Sequence, residues 1–178
     1  MKAEKQLPFA VDVKNVTEFI SQCPSHITRY GKEMKGMFEK APIPSKVIYE
    51  VYEAETGSHL MLAITILYPG KVGREYHMTK GHYHENENAG EIYCCLKGTG
   101  ILLMQTRKGE TKELRMTAGQ VLSVPPQWAH RTVNTGKTEL VFLAIYPHCS
   151  GHDYETIKKK GFKKRVVEAK EKAKIIDF

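Results

Sequence analysis

Three histidines and one glutamate carry the chemistry most easily read from this chain. His82 and His84 are two residues apart, and two is the side-chain period of a strand, so an extended backbone aims both imidazoles at one face. Glu91 follows a Gly/Asn/Glu-rich bend over residues 85–90 that reads as a hairpin turn. It opens the apolar run Ile92 to Leu96, which Gly98 ends. His130 stands further on, in the polar stretch Gly119 to Asn134. One such residue alone is an ordinary surface feature. Three imidazoles and a carboxylate on β-rich segments make a nitrogen/oxygen donor set suited to a divalent transition metal.

The elements that must hold these side chains are short and β-rich. Runs at 47–52, 59–68, 74–83, 91–96, 100–107, 111–116, 121–124 and 139–146 are punctuated by Gly and Pro turns, with no long helical period among them. That pattern predicts an all-β fold, an antiparallel sandwich or barrel. Short peripheral helices complete it. Asn15 or Thr17 could cap one near residue 15, and Asp153 could cap another that ends at Gly161. Residues 166–168 and 175–178 read as edge strands.

The length of 178 residues fits one domain, 1–178, able to bury a proper core. Within it, residues 1–45 read as an N-terminal arm or covering layer, about 46–150 as the barrel, and 151–178 as a C-terminal helix and edge segment. No apolar run approaches the ~20 residues of a membrane span, and the N-terminus has no leader pattern, so the cytoplasm is the expected compartment. The formal charge of +7 could suggest nucleic acid. However, Lys158 to Lys174 holds nine bases and two acids, leaving the rest neutral on balance. Phe162 is the one aromatic in that tail, so a solvated basic face is expected and no nucleic-acid partner. Cys23, Cys94, Cys95 and Cys149 show no C-x-x-C spacing and are expected as buried thiols.

The same residues resemble the cupin superfamily, which implies a cupin or jelly-roll β-barrel. Its first motif, G-H-x-H, a spacer, E, six residues and G, is matched by Gly81, His82, His84, Glu91 and Gly98. Gly119, Pro125, His130 and Asn134 match the second. Two departures stand out: six residues separate His84 from Glu91, and Gln127 replaces an internal glycine. Among cupins the chain is most similar to the cupin-type phosphoglucose isomerases, in which the longer spacer is usual. The phrases at 68–73, 79–84, 125–134, 143–147 and 151–154 carry that likeness, which spans roughly residues 45–165.

The resemblance implies a metal-dependent aldose–ketose isomerase of glycolysis and gluconeogenesis, acting on glucose 6-phosphate and fructose 6-phosphate, and a homodimer. It assigns one divalent metal per subunit to His82, His84, Glu91 and His130. Iron is the first choice; manganese, nickel and zinc are alternatives. Glu91 is its candidate base, with Tyr93, Tyr146 and His152 in catalytic positions; Tyr49, Thr65, Thr79, Gly81 and Tyr154 would bind substrate. Strict alternation places Thr79 opposite His82, and a local twist or bulge before Gly81 would be needed to reconcile them. An enediol route through a base and a hydride shift without one both remain open, as do a cupin dioxygenase, another sugar-phosphate isomerase or epimerase, and a non-catalytic sugar-binding cupin.

Overall fold

A computed structural model describes Val13 and residues 15–178. The remainder of the expected N-terminal arm lies outside the described residues. In chain order the elements are α1 (Val16–Ser21), β1 (Ser25–Tyr30), a 3-10 turn (Gly31–Met34), β2 (Val47–Glu55), β3 (Leu60–Leu67), β4 (Lys71–Val72) and β5 (Glu75–Tyr76). Then come β6 (Glu91–Lys97), β7 (Thr99–Thr106), β8 (Thr111–Thr117), β9 (Val121–Val124), β10 (Trp128–Asn134) and β11 (Leu140–Pro147). The chain closes with α2 (Tyr154–Lys160), β12 (Lys164–Ala169) and β13 (Lys172–Asp177).

A six-stranded sheet of order β1-β2-β3-β11-β6-β9 faces a three-stranded sheet of order β10-β7-β8, and β13-β12-β5-β4 form a third. The strand pairings are antiparallel. The main core joins Leu67, Cys95 and Phe142 of the large sheet to Leu102, Met104 and Met116 of the smaller one. The outer face of the large sheet carries a second cluster, in which α1 lays Phe19, 1% exposed, against Ile64, Val141 and Leu143. Asn15 fixes the start of α1 by accepting from the Glu18 N–H at 3.2 Å. β1 is the terminal strand of the same sheet.

Four expectations need correction. Residues 85–90 do not close a hairpin, because β6 pairs with β11 and β9, whereas the segment before the bend bridges β10 through His82 and His130. The bend carries the chain from one wall of the barrel to the other. Gly98, with φ +85°, makes the return crossing from β6 to β7; a Cβ there would run into the Glu139 carbonyl. Second, residues 74–83 are no continuous strand: β5 has two residues, and beyond it single bridges join Met78 to Val133, His82 to His130 and Tyr83 to Asp153. Third, the strand β10 emerges from a stretch whose Pro125-Pro126 punctuation hid it. Fourth, of the four free thiols only Cys95 is buried; Cys23 and Cys94 are half-buried and Cys149 is exposed.

The basic tail forms the end of α2 and the β12–β13 hairpin, whose charges meet acids: Arg165 with Glu75, and Lys164 with Glu113 and Asp177.

Candidate active site

The two walls bring the sequence's scattered histidines to one point. One ligand atom from each of His82, His84, Glu91 and His130 lies within 4.8 Å of every other. His130 and Glu91 are buried, at 1% and 7% exposure. The ring nitrogens are oriented from behind. The His84 Nδ1 faces the Ala89 carbonyl at 3.0 Å and the His130 Nδ1 faces the Trp128 carbonyl at 3.4 Å. A carbonyl can only accept, so each Nδ1 carries the proton and each Nε2 presents a lone pair inward.

What those inward atoms meet decides the chemistry. The His82, His84 and His130 Nε2 atoms and the Glu91 Oε2 are buried without a hydrogen-bond partner. Glu91 Oε2 nevertheless sits 2.9 Å from the His130 Nε2 and 3.4 Å from the His84 Nε2. These distances look like ion pairs, yet the approach angles make no hydrogen bond, and lone pairs crowded against a carboxylate repel. Such a cluster is built to meet a cation, and the donor set fits a divalent transition metal. A proton taken up by His130 or His84 can also meet the carboxylate: burial pushes the Glu91 carboxyl up, but the two imidazoles in that charged form more than offset this and hold it below the usual range. Burial also pushes His82 down, helped by the neighbouring imidazoles; in His84 burial's push is outweighed by Glu91, which raises it.

The cluster opens on a cavity of about 250 Å³. Every site residue expected from the sequence lines it except His84, which stands behind the others. Tyr93, Phe142, Ala144 and Tyr146 share the inward face of β6 and β11, as alternation requires. The conflict over Thr79 is resolved by Gly81: its φ of +72° breaks the pleat, so Thr79, Gly81 and His82 all face the cavity. A Cβ on Gly81 would lie 2.7 Å from Phe162 and 2.9 Å from the His130 carbonyl. The Thr79 hydroxyl also accepts from the Thr132 N–H at 3.0 Å, stitching this irregular segment to β10.

His152 and Tyr154 close the mouth. Their rings stack at 9° with centroids 5.6 Å apart, and His152 meets His82 edge-on at 4.5 Å. Asp153, between them, caps α2 through the Thr156 N–H at 3.0 Å and donates its own N–H to the Tyr83 carbonyl at 2.8 Å. The mouth is thereby clamped to the segment bearing the histidines. Burial lowers the His152 pKa and raises that of Tyr154 to about 12, so both are neutral near pH 7.

The sequence reading missed Arg29, Glu53, Ile27, Val51 and Ala63, all of which line the cavity. The signal was present in part: residues 49, 51 and 53 alternate to one side of β2, so Glu53 shares Tyr49's face. Arg29 needed the pairing of β1 to β2, which places it opposite Tyr49. Glu53 accepts from the Tyr146 hydroxyl at 2.8 Å. His59, His77 and His148 stay outside the cavity; His77 is buried under Gly70, with its Nδ1 3.2 Å from the Tyr68 carbonyl.

Comparison with known proteins agrees with this geometry. A family model described as glucose-6-phosphate isomerase matches residues 34–176. The chain belongs to that family. It is 46% identical to a glucose-6-phosphate isomerase of Thermococcus gammatolerans, over 98% of this chain and 96% of that one. It is 47% identical to one from Pyrococcus abyssi, over 85% of each. An oxalate oxidase structure superposes with a TM-score of 0.51 at 17% identity, covering 62% of this chain and 56% of the other, and this likeness speaks for the cupin fold alone. The family's sugar-phosphate chemistry thus meets, in this chain, a buried three-histidine, one-carboxylate cluster at the end of a tyrosine-lined cavity.

Proposed function

We propose that the protein interconverts glucose 6-phosphate and fructose 6-phosphate. The observation that carries this reading is the convergence of His82, His84, Glu91 and His130 on a sugar-sized cavity in a chain of the isomerase family. A divalent metal held by those four residues would act as a Lewis acid, stabilising negative charge that develops on the sugar's C1 and C2 oxygens.

The rest is work for the chain's own groups. His152, neutral at the mouth, would take the anomeric hydroxyl proton as the C1–O5 bond breaks and the C1 carbonyl forms, and pass that proton to O5, which becomes the C5 hydroxyl. Glu91, ionised and facing the cavity, is the base that removes the proton from C2 of the aldose and returns it to C1, while the O2 hydroxyl proton passes to O1, so that the C1 carbonyl becomes a hydroxyl and the C2 hydroxyl the ketone. Tyr146, fixed by its hydrogen bond to Glu53, and Tyr93 orient sugar hydroxyls. Tyr49, Thr65, Thr79, Gly81 and Tyr154 bind the remainder of the substrate. The Tyr93 and Phe142 rings, centroids 4.8 Å apart, give the cavity an apolar patch beside these groups.

Iron is the metal we assign first, by family resemblance; the mixed ligand set also accommodates manganese, nickel and zinc. A homodimer is the proposed assembly, with β1, the terminal strand of its sheet, as the edge available for pairing. The cytoplasm is the proposed compartment, in keeping with four free thiols, and glycolysis and gluconeogenesis the setting.

An anaerobic coupled assay tests the reading on chelated and metal-reconstituted protein, offering glucose, mannose and fructose 6-phosphates. Turnover between the glucose and fructose esters that returns with metal is expected. A strict requirement for oxygen, or ligand binding without turnover, would overturn it. Solvent deuterium at C1 or C2 of product is expected if Glu91 acts as the base; full retention of substrate hydrogen would remove Glu91 from that role.

A further inference from the structure

A phosphate ester at neutral pH carries close to two negative charges. The residues that resemblance assigns to substrate binding, Tyr49, Thr65, Thr79, Gly81 and Tyr154, offer it only neutral hydroxyls and backbone N–H groups. Within the cavity one lining residue is cationic. Arg29, on β1, faces the Tyr49 and Tyr154 hydroxyls. Among the described residues no carboxylate forms an ion pair with it, although Arg165, likewise half-buried, has one in Glu75.

The two carboxylates that line the cavity are placed elsewhere. Glu91 is turned to the imidazoles, and Glu53 accepts from Tyr146 and, at 3.3 Å, from Ser25. The register sets Arg29 opposite Tyr49 and Ser25 opposite Glu53, so the cation and this acid stand four residues apart along β1 and β2, about 13 Å. The sheet wall is therefore polarised. A dianion is drawn to the Tyr49 end and repelled from the Glu53 end, which turns the sugar carbons toward the histidines. Lys80 adds positive charge on the same side: its N–H approaches the Tyr49 hydroxyl at 3.5 Å and its Nζ lies 5.9 Å from the Tyr154 ring centroid.

We propose that Arg29 is the charge anchor for the substrate's phosphate and sets the preference for phosphorylated over free sugars. The inference rests on the sugar-phosphate reading above. A guanidinium suits the task because its planar fork can meet two phosphate oxygens at once.

The test compares wild-type metal-loaded protein with Arg29→Gln and Arg29→Lys, on glucose 6-phosphate and on free glucose, alongside calorimetric binding of inorganic phosphate. Arg29→Gln is expected to raise KM for the phosphate ester roughly 10- to 100-fold with kcat nearly kept. It should leave turnover of free glucose unchanged and weaken inorganic phosphate by a similar factor, with Arg29→Lys intermediate. Equal losses on both sugars would mark Arg29 as a support for Tyr49 and overturn the proposal. Phosphate binding that is unchanged in Arg29→Gln would overturn it as well. A wild-type protein inactive on every sugar phosphate would sink the substrate reading instead, and the phosphate calorimetry would still decide the role of Arg29.

Discussion

The two walls of the cavity are built on opposite plans. The imidazole wall combines an irregular segment, residues 77–84, with β10, and it is tied down from behind the cluster: the His84 and His130 Nδ1 atoms face carbonyls, Thr79 ties to Thr132, and Asn134 donates to the Leu67 and Thr138 carbonyls at 2.8 and 2.9 Å. The sheet wall is plain antiparallel strand, in which β1, β2, β3 and β11 each contribute alternate residues. One wall orients a few atoms through specific hydrogen bonds; the other offers a surface. A metal needs the first kind of order, whereas a sugar with several hydroxyls can be held by the second.

If that contrast holds, damage to the imidazole wall should abolish function and damage to the sheet wall should only weaken it. The largest effect is expected for His130→Ala, which removes a buried ligand. Metal content by elemental analysis should fall, and kcat/KM should drop by more than the ~100-fold seen for outer-layer partners. Gly81→Ala comes next. Its left-handed backbone and the 2.7 Å approach to Phe162 should cost about 2–4 kcal/mol in denaturant melts, with metal loss at lower denaturant than unfolding.

Acidification should act on the same wall. Metal competes with protons for neutral imidazoles, and the His84 pKa is raised, so affinity should begin to fall at a pH above the ordinary histidine range and continue downward. Metal titrations with proton-release measurement check this; an affinity flat from about pH 8 to about pH 5.5 would contradict it. On the sheet wall, Thr65→Ala should raise KM by only ~2- to 10-fold and leave metal content unchanged. A large metal loss in that variant would erase the distinction between the walls. The smallest effect concerns Gln127, which sits at φ +70° where the cupin motif has glycine. Gln127→Gly should stabilise the fold by about 1 kcal/mol with activity intact, because it relieves a left-handed side-chain residue.

The difference between the walls also explains what could be read in advance. His82, His84, Glu91 and His130 are chemically rare side chains framed by glycines and prolines, so their types and spacing announce a site before any fold is known. Gln127 shows that the turn geometry outlived the glycine that usually marks it. The large-sheet strands other than β1, the Asn15 and Asp153 caps and the end of α2 at Gly161 were legible because they are set by local alternation and capping chemistry. Arg29 and Glu53 were not singled out, because an arginine or glutamate in a strand is ordinary until the pairing partner is known. The bend at 85–90 misled for the same reason: its composition signals a turn, while its destination, a different sheet, is decided by tertiary packing. β10 escaped because its onset follows two prolines and its residues are buried throughout or nearly so, which removes the alternation that marks a half-exposed strand.

Loading chelated protein with Mn²⁺ and recording pulsed electron paramagnetic resonance addresses the four-residue cluster most directly, because the spectrum counts imidazole nitrogens at the ion. Three such nitrogens at one ion per chain are expected, with two remaining in each of His82→Ala, His84→Ala and His130→Ala. An ion bound without nitrogen coupling, or with a spectrum that those replacements leave unaltered, would contradict a site held by these side chains.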